Sequence, residues 1–254
     1  TGTVIGTNAD GSNDAAEANV ISGNSNGILI TGVGTTGTLV QGNLIGTDVS
    51  GLLARGNTWD GVRIADGATG NTVGGSTAIR RNIIAANGEE GVQVQDEASD
   101  GNTVRGNWIG VNAAGTAPLG NGADGILVTG GADNTTIGGT GAADGNWIAA
   151  AGLVGIEVDG ASTGTVIQGN RIGTDLTGTA NWGAQQNGIL LEGGASNTTV
   201  GVHSGSGGNI VAFSGQGGLW TAGITVDDIG TDGNGIFGNT VTGSGLAIDL
   251  GSNG

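Results

Sequence analysis

The sequence predicts an all-β protein, a single-domain right-handed parallel β-helix, on three observations. Glycine supplies 59 of the 254 residues, with one proline, Pro118. Three short strand phrases recur in a fixed order from one end of the chain to the other. The aliphatic residues at the recurring positions are mostly Val and Ile, whose branched side chains suit a pleated surface. Glycine at this level without a Gly-X-Y period excludes collagen. It also argues against long helices, where each Gly costs about 0.5–1 kcal/mol relative to Ala.

The first phrase places an aliphatic residue two positions after an asparagine. The asparagines are Asn19, Asn43, Asn82, Asn107, Asn146, Asn170, Asn209 and Asn239, followed by Ile21, Ile45, Ile84, Ile109, Ile148, Ile172, Val211 and Val241. The second is Gly-aliphatic-x-aliphatic, opened by Gly27, Gly61, Gly91, Gly125, Gly155, Gly188, Gly223 and Gly245, at steps of 34, 30, 34, 30, 33, 35 and 22 residues. The third lies between them, as in Leu39-Val40, Thr72-Val73, Thr103-Val104, Thr136-Ile137, Val166-Ile167 and Thr199-Val200. Period-2 alternation with Gly, Asn and Asp turns makes each phrase a short strand. Three strands per coil, each recurring above its counterpart, give about eight coils with a two-coil repeat of 64 residues.

Alternation also assigns faces. Asn43 and Ile45 turn inward together and Leu44 outward, so the asparagines form an internal amide ladder. Unequal steps mark loops: after the Asn strand at 46–51, 110–115 and 173–178, and before it at 74–81, 138–145 and 201–208. No linker interrupts the pattern, and residues 1–254 read as one domain. Thr1 begins in mid-pattern and the closing phrase Gly245–Gly251 reads as if more coils follow, which predicts a segment of a longer or processed polypeptide.

The phrases Gly-Asn-x-Ile-Gly-Thr-Asp, Asn-Thr-Val-Gly-Gly and Gly-Ile-x-Val resemble the parallel β-helix repeats of large secreted or surface-exposed bacterial proteins, over essentially the whole chain. The resemblance implies an extracellular or cell-surface location. It covers adhesins, structural rods, phage spikes and polysaccharide enzymes alike, so function has to come from sites.

Net charge is −16, with arginine the only basic residue apart from one histidine, and this excludes a grip on a nucleic-acid backbone. There is no cysteine for a disulfide or thiolate metal site. No apolar run approaches the ~20 residues of a membrane span.

Two outward columns are candidate sites. Beside the asparagines stand Val20, Leu44, Ile83, Trp108, Trp147, Arg171, Ile210 and Thr240. An apolar stripe of this kind asks for a cover, from loops folding back or from a second rod. Left open, Trp108 and Trp147 make an aromatic platform for sugar rings with Arg171 beyond them, and Trp59, Trp182 and Trp220 either extend it or pin loops to the rod. The second column, after the Gly strand, ends in Asp159, Glu192, Asp227 and Asp249. Carboxylates stacked about 5 Å apart repel. Solvation on an acidic face relieves this, or a divalent cation does, Ca²⁺ being the natural choice for oxygen ligands. Asp60, Glu90 and Asp124 share a further column just before the strand.

No catalytic residue is assigned. Asp227-Asp228 resembles one fragment of the polygalacturonase site, but the His and Arg-Lys phrases that accompany it there are missing. The single histidine, His203, lies in a Gly-Ser-rich loop, and there is no Lys or Tyr to act as an elimination base. Arg63, near Asp60, Asp66 and Glu90, is the one hint of a calcium-assisted lyase. The threonine column Thr72, Thr103, Thr136, Thr199 is too interrupted for ice binding. The expected function is therefore a non-catalytic structural or adhesive rod, associating with copies of itself through lateral faces or unpaired end strands. The alternative is a β-helix that binds or degrades a polysaccharide, as lyase or hydrolase, through the Trp stripe and the acidic column.

Overall fold

A computed structural model describes residues 2–184, 186–215 and 221–251. It is a right-handed solenoid of about seven turns. That is one fewer than the eight coils expected, because the eight strands of each sheet are joined by seven steps. Three parallel sheets form its walls. The Gly sheet runs from Ile28–Thr31 to Leu246–Asp249, the Thr sheet from Val4–Gly6 to Gly235–Phe237, and the Asn sheet from Val20–Ile21 to Thr240–Thr242.

The register follows the glycine steps through most of the rod. Val62 pairs with Val92, Val92 with Ile126, Ile126 with Ile156, and Ile156 with Ile189. The last step departs from it. Ile224 faces Ile248 and Thr225 faces Asp249, two residues off the pairing that Gly223 and Gly245 suggest. A two-residue slip keeps every side chain on its own face, so alternation cannot detect it.

The inward aliphatic residues of all three sheets pack into one core from Ile28 to Ile224. At the corner between the Thr and Asn sheets the asparagine ladder is complete. Asn82 Nδ2 donates to Asn107 Oδ1 at 2.9 Å, Asn107 to Asn146 at 3.0 Å and Asn146 to Asn170 at 3.0 Å. The second amide hydrogen goes to a main-chain carbonyl of the preceding coil, Val73 for Asn107 and Val104 for Asn146. A buried amide so satisfied contributes stability, whereas an unpaired one costs about 1–3 kcal/mol. Two further corners carry ladders that the phrases did not reveal. Asn24, Asn57, Asn87 and Asn121 form one, and Asn71 with Asn102 begins another.

Glycine is obligatory next to the ladder. Gly138 has φ +85°, and a Cβ there would lie 1.9 Å from the Gln168 carbonyl oxygen. The loops after the Asn strand are small hairpins closed by Thr47–Ala54, Val111–Pro118 and Thr174–Asn181 bridges. Asp48 and Asp175 in the first and third account for the Gly-Thr-Asp phrase, and Asn112 takes that place in the second. Asp175 accepts from the Thr177 hydroxyl and the Ala180 and Thr179 N–H groups, which hold its carboxyl well below the usual range.

Candidate functional site

Two faces of the rod gather chemistry, and they are opposite in sign.

On the Asn sheet, the strands Trp108–Ile109, Trp147–Ile148 and Arg171–Ile172 pair in register and stack Trp108, Trp147 and Arg171 in one outward column. The rings do not make a flat platform. Trp108 meets Trp147 edge to face, at 86° and 5.1 Å. Trp147 is 3% exposed, because the 173–183 loop folds back over it. Trp182 stacks on the Trp147 face at 5.6 Å, and the Trp147 indole N–H donates to the Thr174 carbonyl at 2.6 Å. Trp147 is thus a loop anchor, and Trp182 pins the loop as a cover for the stripe. Trp59 stands 47% exposed at another corner, and Trp220 lies outside the described residues.

Beside the covered ring an open cleft of about 310 Å³ remains, lined by Arg81, Trp108, Arg171, Leu176 and Ile210 together with glycine and alanine backbone. Arg81 comes from the loop before Asn82, and its guanidinium lies over the Trp108 ring at 4.3 Å from the centroid. Burial pushes its pKa down. Arg81 is not legible as a site residue in the sequence, because nothing in its loop marks which coil the side chain reaches.

On the Gly sheet the outward face is acidic and partly desolvated. Asp60 and Asp124, in the column before the strand, are 0% and 3% exposed rather than fanned into water. Asp124 accepts from the Val154 N–H at 2.9 Å. Burial pushes the Asp124 carboxyl up to about 6 and that of Glu90, which also faces Asp60, up to about 7. Arg63 is the one cation here, 3.8 Å from Asp60.

The strand Ile156–Val158 puts Glu157 outward at the middle of this face. Burial, then the negative charge of Asp124, Glu192, Asp159 and Glu90, pushes its carboxyl up to about 8. Glu157, Asp159 and Glu192 each bring an oxygen within 4.8 Å of the others. Burial and the nearby Asp228, Asp159 and Asp227 also raise the Glu192 carboxyl. Of the four carboxylates expected in one column, Asp159, Glu192 and Asp227 follow the register. Asp249 does not: it pairs with Thr225 and its Oδ1 accepts from the Gly251 N–H at 3.0 Å, a consequence of the two-residue slip. Glu157, the group with the largest upward shift, was visible only as a polar residue in a mixed outward column with Leu127 and Leu190.

His203 stacks on Phe237 at 3.7 Å, near neither face's chemistry. Among the described residues no helix is long and apolar enough to cross a membrane.

No protein-family model matches the sequence, and no curated protein matches it. Solved structures do. The mannuronan C-5 epimerase AlgE6 A-module of Azotobacter vinelandii is 21% identical with a TM-score of 0.61, over 92% of this chain and 54% of that one. The AlgE4 A-module of the same organism is 17% identical with a TM-score of 0.63, over 91% and 54%. The periplasmic alginate epimerase AlgG is 13% identical with a TM-score of 0.55, over 98% and 54%. The chain spans about half the length of each. At these identities the likeness is one of fold.

Proposed function

We propose that this protein is a polysaccharide-active β-helix, working outside the cytoplasm, that lays a glycan along the carboxylate face of the Gly sheet. The observation that carries the reading is Glu157, a carboxyl group raised to about 8 with Asp159 and Glu192 within 4.8 Å. A structural rod needs no such group, and the first expectation of a non-catalytic rod gives way to the alternative. The solved structures most like the fold include enzymes named for mannuronan and alginate, which agrees with a sugar polymer as the ligand.

The chemistry available is acid catalysis. At neutral pH Glu157 holds its proton and donates it to a glycosidic oxygen, while Asp159 serves as the carboxylate partner at the sugar carbon. Glu157 and Asp159 bring their oxygens within 4.8 Å of each other, closer than the spacing that leaves room for an attacking water between two carboxyl groups. Elimination fits less well. The face offers no Lys or Tyr as a base, and its arginine, Arg63, is engaged with Asp60.

The test is release of reducing ends from a panel of neutral glucans, pectin and alginate, with Glu157→Gln alongside. The reading expects cleavage of at least one polymer and a loss of roughly 100-fold or more in the variant. Full activity in Glu157→Gln, or neither binding nor cleavage across the panel, would contradict it.

The same three oxygens support a second reading, in which Ca²⁺ rather than a proton relieves the repulsion at Glu157, Asp159 and Glu192, with Asp227 nearby. The two readings separate by pH, because a cation competes with the proton.

A further inference from the structure

We infer that the Arg81–Trp108–Arg171 cleft is a second saccharide site, one that takes a sugar bearing a carboxylate. It lies on the Asn sheet, so it does not depend on the reading of the Gly-sheet face.

The charge pattern leads to this inference. The chain has six arginines against 22 acidic residues, an excess in which partners are easily found. Among the described residues Arg63 and Arg105 pair with Asp60 and Asp144, at 3.8 and 3.9 Å. Among the described residues Arg81 and Arg171 have no carboxylate within ion-pairing distance, and none lines the cleft they share. Arg81 is more than unpaired. Its Nε is buried without a hydrogen-bond partner, and the Trp108 ring fixes its guanidinium at 4.3 Å. Desolvating a cation and leaving a donor unused costs free energy that an incoming oxyanion would recover, through charge-assisted and bidentate bonds.

The remaining walls say what carries the anion. Leu176, Ile210 and the exposed part of Trp108 offer apolar surface, while glycine and alanine backbone keeps the floor low. A bare inorganic anion would leave that surface unused. About 310 Å³ is at the lower end of ligand pockets and suits one or two sugar rings. A pyranose presents C–H faces to such walls and its carboxylate to the guanidiniums. Arg171 stands two strands along the sheet from Trp108, about 10 Å, which lets the site read acid groups on more than one ring.

The experiment follows Trp fluorescence, with calorimetry in parallel, as the protein is titrated with a uronic-acid trisaccharide, with the neutral trisaccharide of the same linkage, and with sodium sulfate. The uronate oligomer is expected to bind at least ten-fold more tightly than the neutral one and to weaken as salt is raised. Arg171→Ala, a half-buried side chain outside the core, should lose ten-fold or more while keeping the wild-type melting temperature. Arg81→Ala should lose at least as much. Arg55→Ala, an exposed arginine outside the cleft, should bind as wild type does. Equal affinity for neutral and acidic oligomers would overturn the inference. So would sulfate binding as tightly as the uronate, or an unchanged affinity in Arg171→Ala.

Discussion

The Gly-sheet and Asn-sheet faces belong to the same coils, hang from the same core and differ in how they treat charge. The Gly face crowds Asp124, Glu157, Asp159 and Glu192 together and raises carboxyl pKa values. The Asn face covers Trp147 with a loop, keeps Trp108 partly open, and leaves two guanidiniums without a carboxylate partner among the described residues. The inside of the rod is nearly uniform from coil to coil while the outside is not. Function therefore resides in the outward residues, and the ladders hold them in line.

That dependence predicts the largest effect. Asn107→Leu removes the acceptor of the Asn82 amide and the side-chain donor to the Asn146 oxygen and the Val73 carbonyl at once, leaving Asn146 Oδ1 with the main-chain N–H of residue 107, and should cost about 3 kcal/mol or more in denaturant unfolding. Both faces should fail together in this variant. If stability is unchanged, the ladder does not organise the coils.

Trp147→Ala should separate the faces. Removing a ring that is 3% exposed and stacked on Trp182 should cost about 3 kcal/mol and free the 173–183 loop for proteolysis. Glycan cleavage at the Gly face should survive wherever the protein stays folded.

A smaller effect comes from Glu157. Its carboxyl is raised from 4.5 to about 8, so between those values the folded state binds the proton that the unfolded chain has released. Stability from this group is present below about 4.5 and is lost as pH rises toward 8. The melting temperature should fall across that window, and Glu157→Gln should flatten the slope. Because the side chain is partly exposed, a gain of about 1–2 kcal/mol at pH 8 is expected for the variant.

Calcium should give the smallest change. Adding it should raise the melting temperature by about 1–2 °C at pH 9, where the carboxylates are ionised, and by less at pH 6. A melting temperature indifferent to both calcium and EDTA at either pH would remove the cation from the Gly face.

Much of this architecture was legible in the sequence, because an inward Asn or Ile in a stacked coil is held by identical neighbours above and below. Gly27 to Gly223 fixed seven strands of the Gly sheet, and Asn19 to Asn239 fixed the main ladder. The slip at Asp249 was invisible because it preserves alternation. The sites were less legible, since they depend on how far side chains and loops reach. Trp182 covers Trp147 from a loop 35 residues on, and Arg81 climbs to Trp108 from the coil before. Burial separates Glu157 from its exposed neighbours, and burial of a loop-flanked face has no sequence period.

The polysaccharide reading rests on one proton, and ¹³C NMR of the side-chain carboxyl of Glu157 observes it directly. Titrated from pH 3 to 10, the resonance should shift with a midpoint near 8, and the midpoint should move when a glycan that the protein cleaves is bound. A midpoint near the ordinary 4.5, unmoved by glycan, would contradict the account.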